Sequence, residues 1–182
     1  MKIHLNSYHL KTHFIIETVG DTVYLSICVK PKFYTYILLL VAAAIAVIPF
    51  LFDGFKTVDS VMASLAFMIL WILFPLKYAW WNVFGKEMLI INRKSISYQY
   101  HYGFIKNNLK TVTYQNLSAR FQPFLIDKEK KLGKIYFYEE SEKTGLPNLL
   151  HSTSIYILQS QYDTVMEEIN LLFLRHHTFS MN

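Results

Sequence analysis

Twenty consecutive residues from Phe33 to Phe52, FYTYILLLVAAAIAVIPFLF, carry no charge. A bilayer's hydrocarbon core is roughly 30 Å thick and takes about 20 helical residues to cross, so this run has the length of a transmembrane helix. Tyr34 and Tyr36 stand at one end, where amphipathic rings settle among headgroups. Pro49 stands near the other, and a span tolerates proline there better than a soluble helix does. A cleaved signal peptide fits poorly, because no short apolar region with a small-residue cleavage site precedes the run.

A second apolar run starts at Ser60 as SVMASLAFMILWILFPL, and the aromatic tail YAWWNVF extends it to Phe84. Lys77 interrupts it, but a lysine near a helix end can carry its ammonium along its own stem to the headgroups. Trp80 and Trp81 then read as an aromatic belt. Only residues 53–59, DGFKTVD, separate the two runs, so spans at 33–52 and 60–84 form an antiparallel hairpin. Lys30 and Lys32 flank the first span, while Lys77, Lys86, Arg93 and Lys94 lie in or beyond the end of the second. Positive charge marks the cytoplasmic side, which puts both termini in the cytoplasm and the loop outside, in a multi-pass inner-membrane protein. Ala42, Ala43, Ala44 and Ala46 give the first span a small-residue surface for close packing within the hairpin or between chains.

The net charge of +5 and a pI near 9.1 suit either nucleic acid or an anionic lipid surface. The two runs decide for lipid, and nucleic acid is not expected as a partner. Thirteen tyrosines and fourteen phenylalanines suit strands and membrane interfaces. The single Cys28 excludes an intrachain disulfide and a four-cysteine zinc site.

After Gly85, which is expected to let the chain turn out of the helix, hydropathy changes period. EMLIIN, SISYQYH, LKTVTY, KIYFY and TSIYIL read as strands, broken by the turn-like NRK, YGF and KEKKLG. Ser160 and Asp163 fit a capping box, followed by Val165, Ile169, Leu172 and Phe173 on one helix face. Before the first span, HFIIE and TVYLSICV flank Gly20-Asp21 as a hairpin that lies on the cytoplasmic side and can pair with the later sheet. The chain thus divides into an N-terminal segment 1–32, a membrane hairpin 33–84, a cytoplasmic α+β, mainly β domain 85–176 and a tail 177–182.

The two-span hairpin, the W-N-V-F-G-K-E junction, an apolar strand, a second strand with Tyr98 and Tyr100, and Gly103 in the next turn resemble a bacterial membrane protein family with a pleckstrin-homology-like (PH-like) domain. Val29-Lys30-Pro31-Lys32 before the first span and a late strand starting at Gly133-Lys134-Ile135 belong to the same likeness, which covers roughly residues 28–174. The resemblance implies a barrel of about seven strands, capped by the C-terminal amphipathic helix and held at the inner membrane surface. Residues 141–152, SEKTGLPNLLHS, depart from it as an irregular insertion suited to partner binding.

No constellation for catalysis stands out. His4, His9 and His13 have no acidic neighbour and read as surface histidines rather than metal ligands. His176-His177 lie in the polar tail. Glu139, Glu140 and Glu142 lie at a strand end and read as a solvated turn, not an acid–base pair across a cleft. Cys28 inside SICV is expected to pack in a core. Neither a glycine-rich phosphate loop nor HExxH occurs, and no cofactor, metal or small-molecule substrate is implied. The surface expected to meet lipid or a partner is basic: Lys128, Lys130, Lys131 and Lys134 in a loop, with Arg93, Lys94 and Lys106 added if the strands gather them. These features point to a non-enzymatic inner-membrane protein whose PH-like domain binds a protein partner or anionic lipid, as subunit or regulator of a membrane complex or as a homo-oligomer. The alternative is an immunity or accessory protein that counters a membrane-acting toxin, or serves a defence assembly, through its spans and outer loop.

Overall fold

The computed structural model describes residues 2–5, 12–52, 57–127, 130–140 and 146–179, with side chains placed over 12–48, 57–124, 131–140 and 146–174. The described residues form a mixed α+β protein of antiparallel strands and three helices. The chain divides into two units, a helical one from Val29 to Gly85 and a sheet unit made of residues 1–28 with 86–182.

In the helical unit, α1 runs Phe33–Phe52 and α2 runs Val58–Phe84. The start of α2 is set by a reciprocal cap: Ser60 N–H donates to Thr57 Oγ1 and Thr57 N–H donates to Ser60 Oγ, both at 3.2 Å. Ser60 is therefore the third residue of the helix, and α2 begins at Val58 rather than at the expected Ser60. The connecting segment shortens accordingly, and residues 53–56 of it lie outside the described residues. Pro75 has no N–H to give the ladder, and α2 passes it through a π-turn over Ile72–Leu76, where Lys77 N–H reaches Ile72 O.

Small side chains pack inside the helical unit: Ala42, Ala46, Ser64 and Ala79 are buried, and Trp71 Nε1 donates to Ala42 O at 2.7 Å. Large apolar side chains point outward, with Leu40 70% and Leu70 57% exposed. Only 6% of the most apolar stretch of α2 is buried within the chain. Among the described residues α2 is long and apolar enough to cross a membrane, whereas the apolar stretch of α1, Phe33–Ile48, is shorter. Gly85 has ordinary extended dihedrals, φ −62° and ψ 128°, so the turn expected of it is not what requires a glycine. A Cβ there would sit 2.8 Å from a Trp81 ring carbon and collide with the Trp81 carbonyl.

The sheet unit contains β1 (Lys2–Leu5), β2 (Thr12–Val19), β3 (Thr22–Val29), β4 (Gly85–Asn92), β5 (Ser95–Tyr102), β6 (Ile105–Lys106), β7 (Lys110–Thr113), β8 (Leu117–Asp127), β9 (Lys130–Glu140), β10 (Pro147–Ser152), β11 (Ile157–Leu158) and α3 (Gln159–Phe179). One sheet has the order β1-β2-β3-β4-β5-β6, with β7 also on β5; the other joins β10, β9 and β11, with β8 also on β9. Thr22 to Cys28 of β3 pair with Asn92 to Lys86 of β4, so strands 57 residues apart in the chain are neighbours in one sheet. Among the described residues, β4 to β11 are eight strand segments where the resemblance, over roughly residues 28–174, implies about seven, and β1 to β3 come before them.

Alternation builds the core. Val23, Leu25 and Ile27 of β3, Leu89 and Ile91 of β4, and Ile135 and Phe137 of β9 are fully buried while their neighbours are not. Each such side chain contributes about 1.5–3 kcal/mol relative to exposure. α3 packs on β2, β8, β9 and β11 through Val165, Ile169 and Leu172, the face expected of it. Its start differs from expectation: Gln161 Oε1 accepts from Leu158 N–H at 3.0 Å, so Leu158 is the cap residue and Ser160 and Asp163 lie within the helix. Thr18 Oγ1 donates to Glu168 Oε2 at 2.6 Å and ties α3 to β2.

Three further expectations fail locally. Of TSIYIL only Ile157–Leu158 is a strand. Pro147–Ser152, half of the expected irregular insertion, is strand β10 on β9, and residues 141–145 lie outside the described residues. Gly133 does not start a strand but lies inside β9, where a Cβ would meet the Gln122 carbonyl and lie 2.6 Å from the Phe121 ring.

Candidate functional site

The basic residues do not gather on one surface. Lys130, Lys131 and Lys134 belong to β9 rather than to a loop, because Asp127 of β8 pairs directly with Lys130. Lys128 and the Lys130 side chain lie outside the described residues. Lys134 Nζ stands 5.1 Å from the Tyr156 ring centre, and Lys131 borders a cleft with Arg120, Phe121 and Tyr162. Arg93 and Lys94 form the β4–β5 turn, with Arg93 Nη2 3.0 Å from Asp21 Oδ1. Lys106 is opposite His101, at the far end of β5 from Lys94, about 23 Å away at some 3.3 Å per residue. At the expected membrane interface, Tyr34 and Tyr36 are half exposed in the first turn of α1, and Lys77, Trp80 and Trp81 occupy the last turns of α2.

The other candidates stay dispersed. His13 is half-buried on β2; His9 and the side chains of His4, His176 and His177 lie outside the described residues. Among the described residues no three His, Cys, Asp or Glu side chains could hold a metal ion. Glu139 accepts from Gln115 N–H at 2.9 Å, and Glu142 lies outside the described residues. Cys28 is not core: it is half-buried on the outer face of β3, 3.9 Å from Ser26 Oγ, while Ile27 takes the inward position.

Sequence reasoning missed a buried cluster around Glu87. Inward alternation on β4 gives Gly85, Glu87, Leu89 and Ile91, so an acid occupies a core position. Glu87 Oε1 lies 2.8 Å from His151 Nε2, and Glu87 Oε2 accepts from Ser154 N–H at 2.7 Å and Ile155 N–H at 3.3 Å. Tyr98 stacks on the His151 ring at 4.1 Å between centroids. The carboxylate therefore clamps β4 to the segment after β10, which belongs with the other sheet. Its parity with Leu89 and Ile91 was the readable signal. His151, inside a segment read as irregular, gave none. With Glu87 0% and the His151 side chain 4% exposed, the pair meets no solvent-borne substrate in this conformation.

Nearby phenols titrate high. Burial raises Tyr100, opposed by its hydrogen bond with Ser154 and reinforced by the charges of Glu87, Tyr98 and Tyr102. Burial pushes Tyr114 up to about 12, and its hydroxyl donates to the Asn92 carbonyl. His101 is lowered by burial and then by Lys86 and Lys106, two cations close to its ring.

Tyr114 also lines an open cleft of about 840 Å³ bordered by Arg93, Lys94, Thr113, Glu139 and Phe173. Its lining mixes cations, one carboxylate and two aromatic rings, with Arg93 already paired to Asp21 and Glu139 already accepting from Gln115 N–H. No protein-family model matches the chain, and no curated protein matches its sequence.

Proposed function

We propose that the protein is a non-enzymatic bacterial inner-membrane protein. Its helical unit crosses the bilayer twice, and its sheet unit, a PH-like domain, is a cytoplasmic binding module acting as subunit or regulator of a membrane complex. The pairing of Cys28 with Lys86 carries this reading. The chain leaves the sheet at the end of β3 and re-enters it at the start of β4, which are side by side, so the insertion begins and ends on one face of the membrane. If α2 crosses, α1 must cross back. The outward apolar side chains of both helices suit lipid on all sides, and the small residues between them suit a packed pair in a bilayer. Lys30, Lys32, Lys77 and Lys86 lie at the ends of the helical unit that adjoin the sheet unit in the chain, and Arg93 and Lys94 follow within ten residues of Phe84, which suits a cytoplasmic orientation.

Binding rather than catalysis is the better reading of the polar groups, because the acid–histidine pair is sealed and the open cleft presents an ion-pairing rim. The chain has no residue between Phe84 and Gly85, so the module cannot work far from the bilayer. Cysteine accessibility in intact and permeabilised cells tests the topology, using the Cys28→Ser background with single cysteines at Asp21, Asp59 or Asn107. Asp59→Cys is expected to react from outside, and the other two only after permeabilisation; reaction of all three from one side overturns the double crossing. Purification from native membranes in mild detergent is expected to bring down a stoichiometric companion, and recovery of the chain alone counts against the subunit role.

A further inference from the structure

The two ends of the larger sheet are charged differently. At one end the β2–β3 turn and the β4–β5 turn are joined by the Asp21–Arg93 ion pair. At the other end, where the chain leaves β3 and enters β4, Cys28 is opposite Lys86 and His101 is opposite Lys106. The two-residue turn at Arg93-Lys94 sets Lys86 beside His101, and both lysines bear on the imidazole, lowering it. The four residues form one lateral row across β3, β4, β5 and β6, and among the described residues neither lysine is in an ion pair. Beyond the row, the β5–β6 turn holds Gly103 at φ 69° and carries Phe104, 79% exposed, and Ile105, 55% exposed. Asn107 N–H donates to Tyr100 O at 2.9 Å, and Gln99 Nε2 donates to Asn107 O at 2.7 Å, so the hairpin is braced. Cations behind a projecting aromatic–aliphatic tip are the pattern that enters a headgroup layer.

We infer that this hairpin docks on anionic lipid, with Phe104 and Ile105 among the headgroups and Lys86 and Lys106 against lipid phosphates. The inference rests on the membrane reading above, and it moves the lipid contact away from the β8–β9 lysines. The occupant follows from connectivity and charge. Cys28 and Lys86 are the sheet positions from which the chain passes into the apolar helices, so their end of the sheet is the one tethered by the shortest length of chain to the proposed spans. A protein partner at the same tip would have to compete with the bilayer. Each lysine is worth about five-fold in the ratio of docked to undocked hairpin on an anionic surface.

The test uses the full chain in vesicles, with Cys28→Ser and a fluorophore on Ile105→Cys or, for comparison, on Asp21→Cys. In vesicles rich in phosphatidylglycerol, the label at 105 is expected to be quenched by headgroup-depth nitroxide lipid. It should also be shielded several-fold from aqueous iodide relative to the label at 21. Pure phosphatidylcholine, or Lys86→Gln with Lys106→Gln, should remove most of that shielding. Equal iodide access at 105 and 21, or shielding indifferent to lipid charge, overturns the inference. Alkaline carbonate extraction separates the two levels: a chain that stays in the membrane while position 105 is open to iodide sinks the docking alone, and a chain that is extracted sinks the membrane reading beneath it.

Discussion

The helical unit and the sheet unit use opposite packing rules. In the sheet unit the large apolar side chains point inward, from Phe14 and Leu25 to Phe137. In the helical unit the small ones point inward, Ala42, Ala46 and Ser64, and Leu40 and Leu70 point out. Water drives the first arrangement, because apolar surface removed from water is stabilising in proportion to its area. Lipid cannot drive the second, since a leucine gains nothing by leaving hydrocarbon for another helix; close backbone approach and hydrogen bonds decide instead. If the helical unit lies in lipid, as proposed, the contrast is between two solvents, and substitutions that exchange the rules test it.

The largest effect is expected at the one place where the sheet unit violates its own rule. Glu87→Ala leaves the buried His151 and Ile155 N–H without their acceptor and unpairs the Ser154 N–H, which should cost about 3–5 kcal/mol. That is a large part of the whole stability of an ordinary domain, roughly 5–15 kcal/mol. Replacing both partners, Glu87→Met with His151→Leu, should cost less, because the buried imidazole is then not left without its partner. Thermal unfolding of the purified protein in detergent, followed by near-ultraviolet circular dichroism, compares them. Equal losses in the single and double variants would mean that the pair is not the clamp between the sheets.

Next come truncations and charges placed on each side. Ile91→Ala, in the core of the sheet unit, should cost about 2–5 kcal/mol, whereas Leu70→Ala on the outer face of α2 should stay within about 0.5 kcal/mol. A charge reverses the ranking: Leu70→Lys at mid-helix should cost about 2.5–3.5 kcal/mol in membrane insertion. Tyr24→Lys, on the 40% exposed face of β3, should leave folding nearly unchanged. Unfolding curves and carbonate-extractable fractions read the four variants. If Leu70→Ala weighs as much as Ile91→Ala, α2 is packed against protein rather than lipid and the contrast fails.

How far each region could be read from sequence follows from the same difference. Hydrophobic length is a local property, so α1 was legible end to end and α2 nearly so, missed by two residues where Ser60 caps rather than begins. Strands were legible where alternation is clean, as in β3, β4 and β5. β8 was not, because Pro123 sits mid-strand at a register shift, with Phe124 left 70% exposed. β10 was hidden by its proline and polar residues, since its strand character comes from pairing with β9 and not from its own composition. The Glu87 clamp joins residues 64 apart in the chain, and no local period carries a partner over that distance. The basic row was half legible: Lys106 was singled out, but its alignment with Lys86 depends on two hairpin registers.

The smaller effects sharpen the comparison, because each unit holds one weak polar contact, a neutral hydrogen bond in one and an exposed ion pair in the other. Trp71→Phe removes the indole bond to the Ala42 carbonyl, expected to cost about 0.6 and at most about 1.7 kcal/mol in a bilayer-like medium. That loss should not change with salt, because the bond joins two uncharged groups. Arg93→Ala removes the ion pair with Asp21 across two exposed turns, and such pairs are worth about 0.2–1 kcal/mol. At a Debye length near 3 Å in about 1 M salt, most of even that should vanish. Unfolding of both variants at low and high sodium chloride makes the distinction: the Arg93→Ala deficit shrinks and the Trp71→Phe deficit stays. A Trp71→Phe variant as stable as the parent would mean that the indole bond does not help to hold α1 against α2.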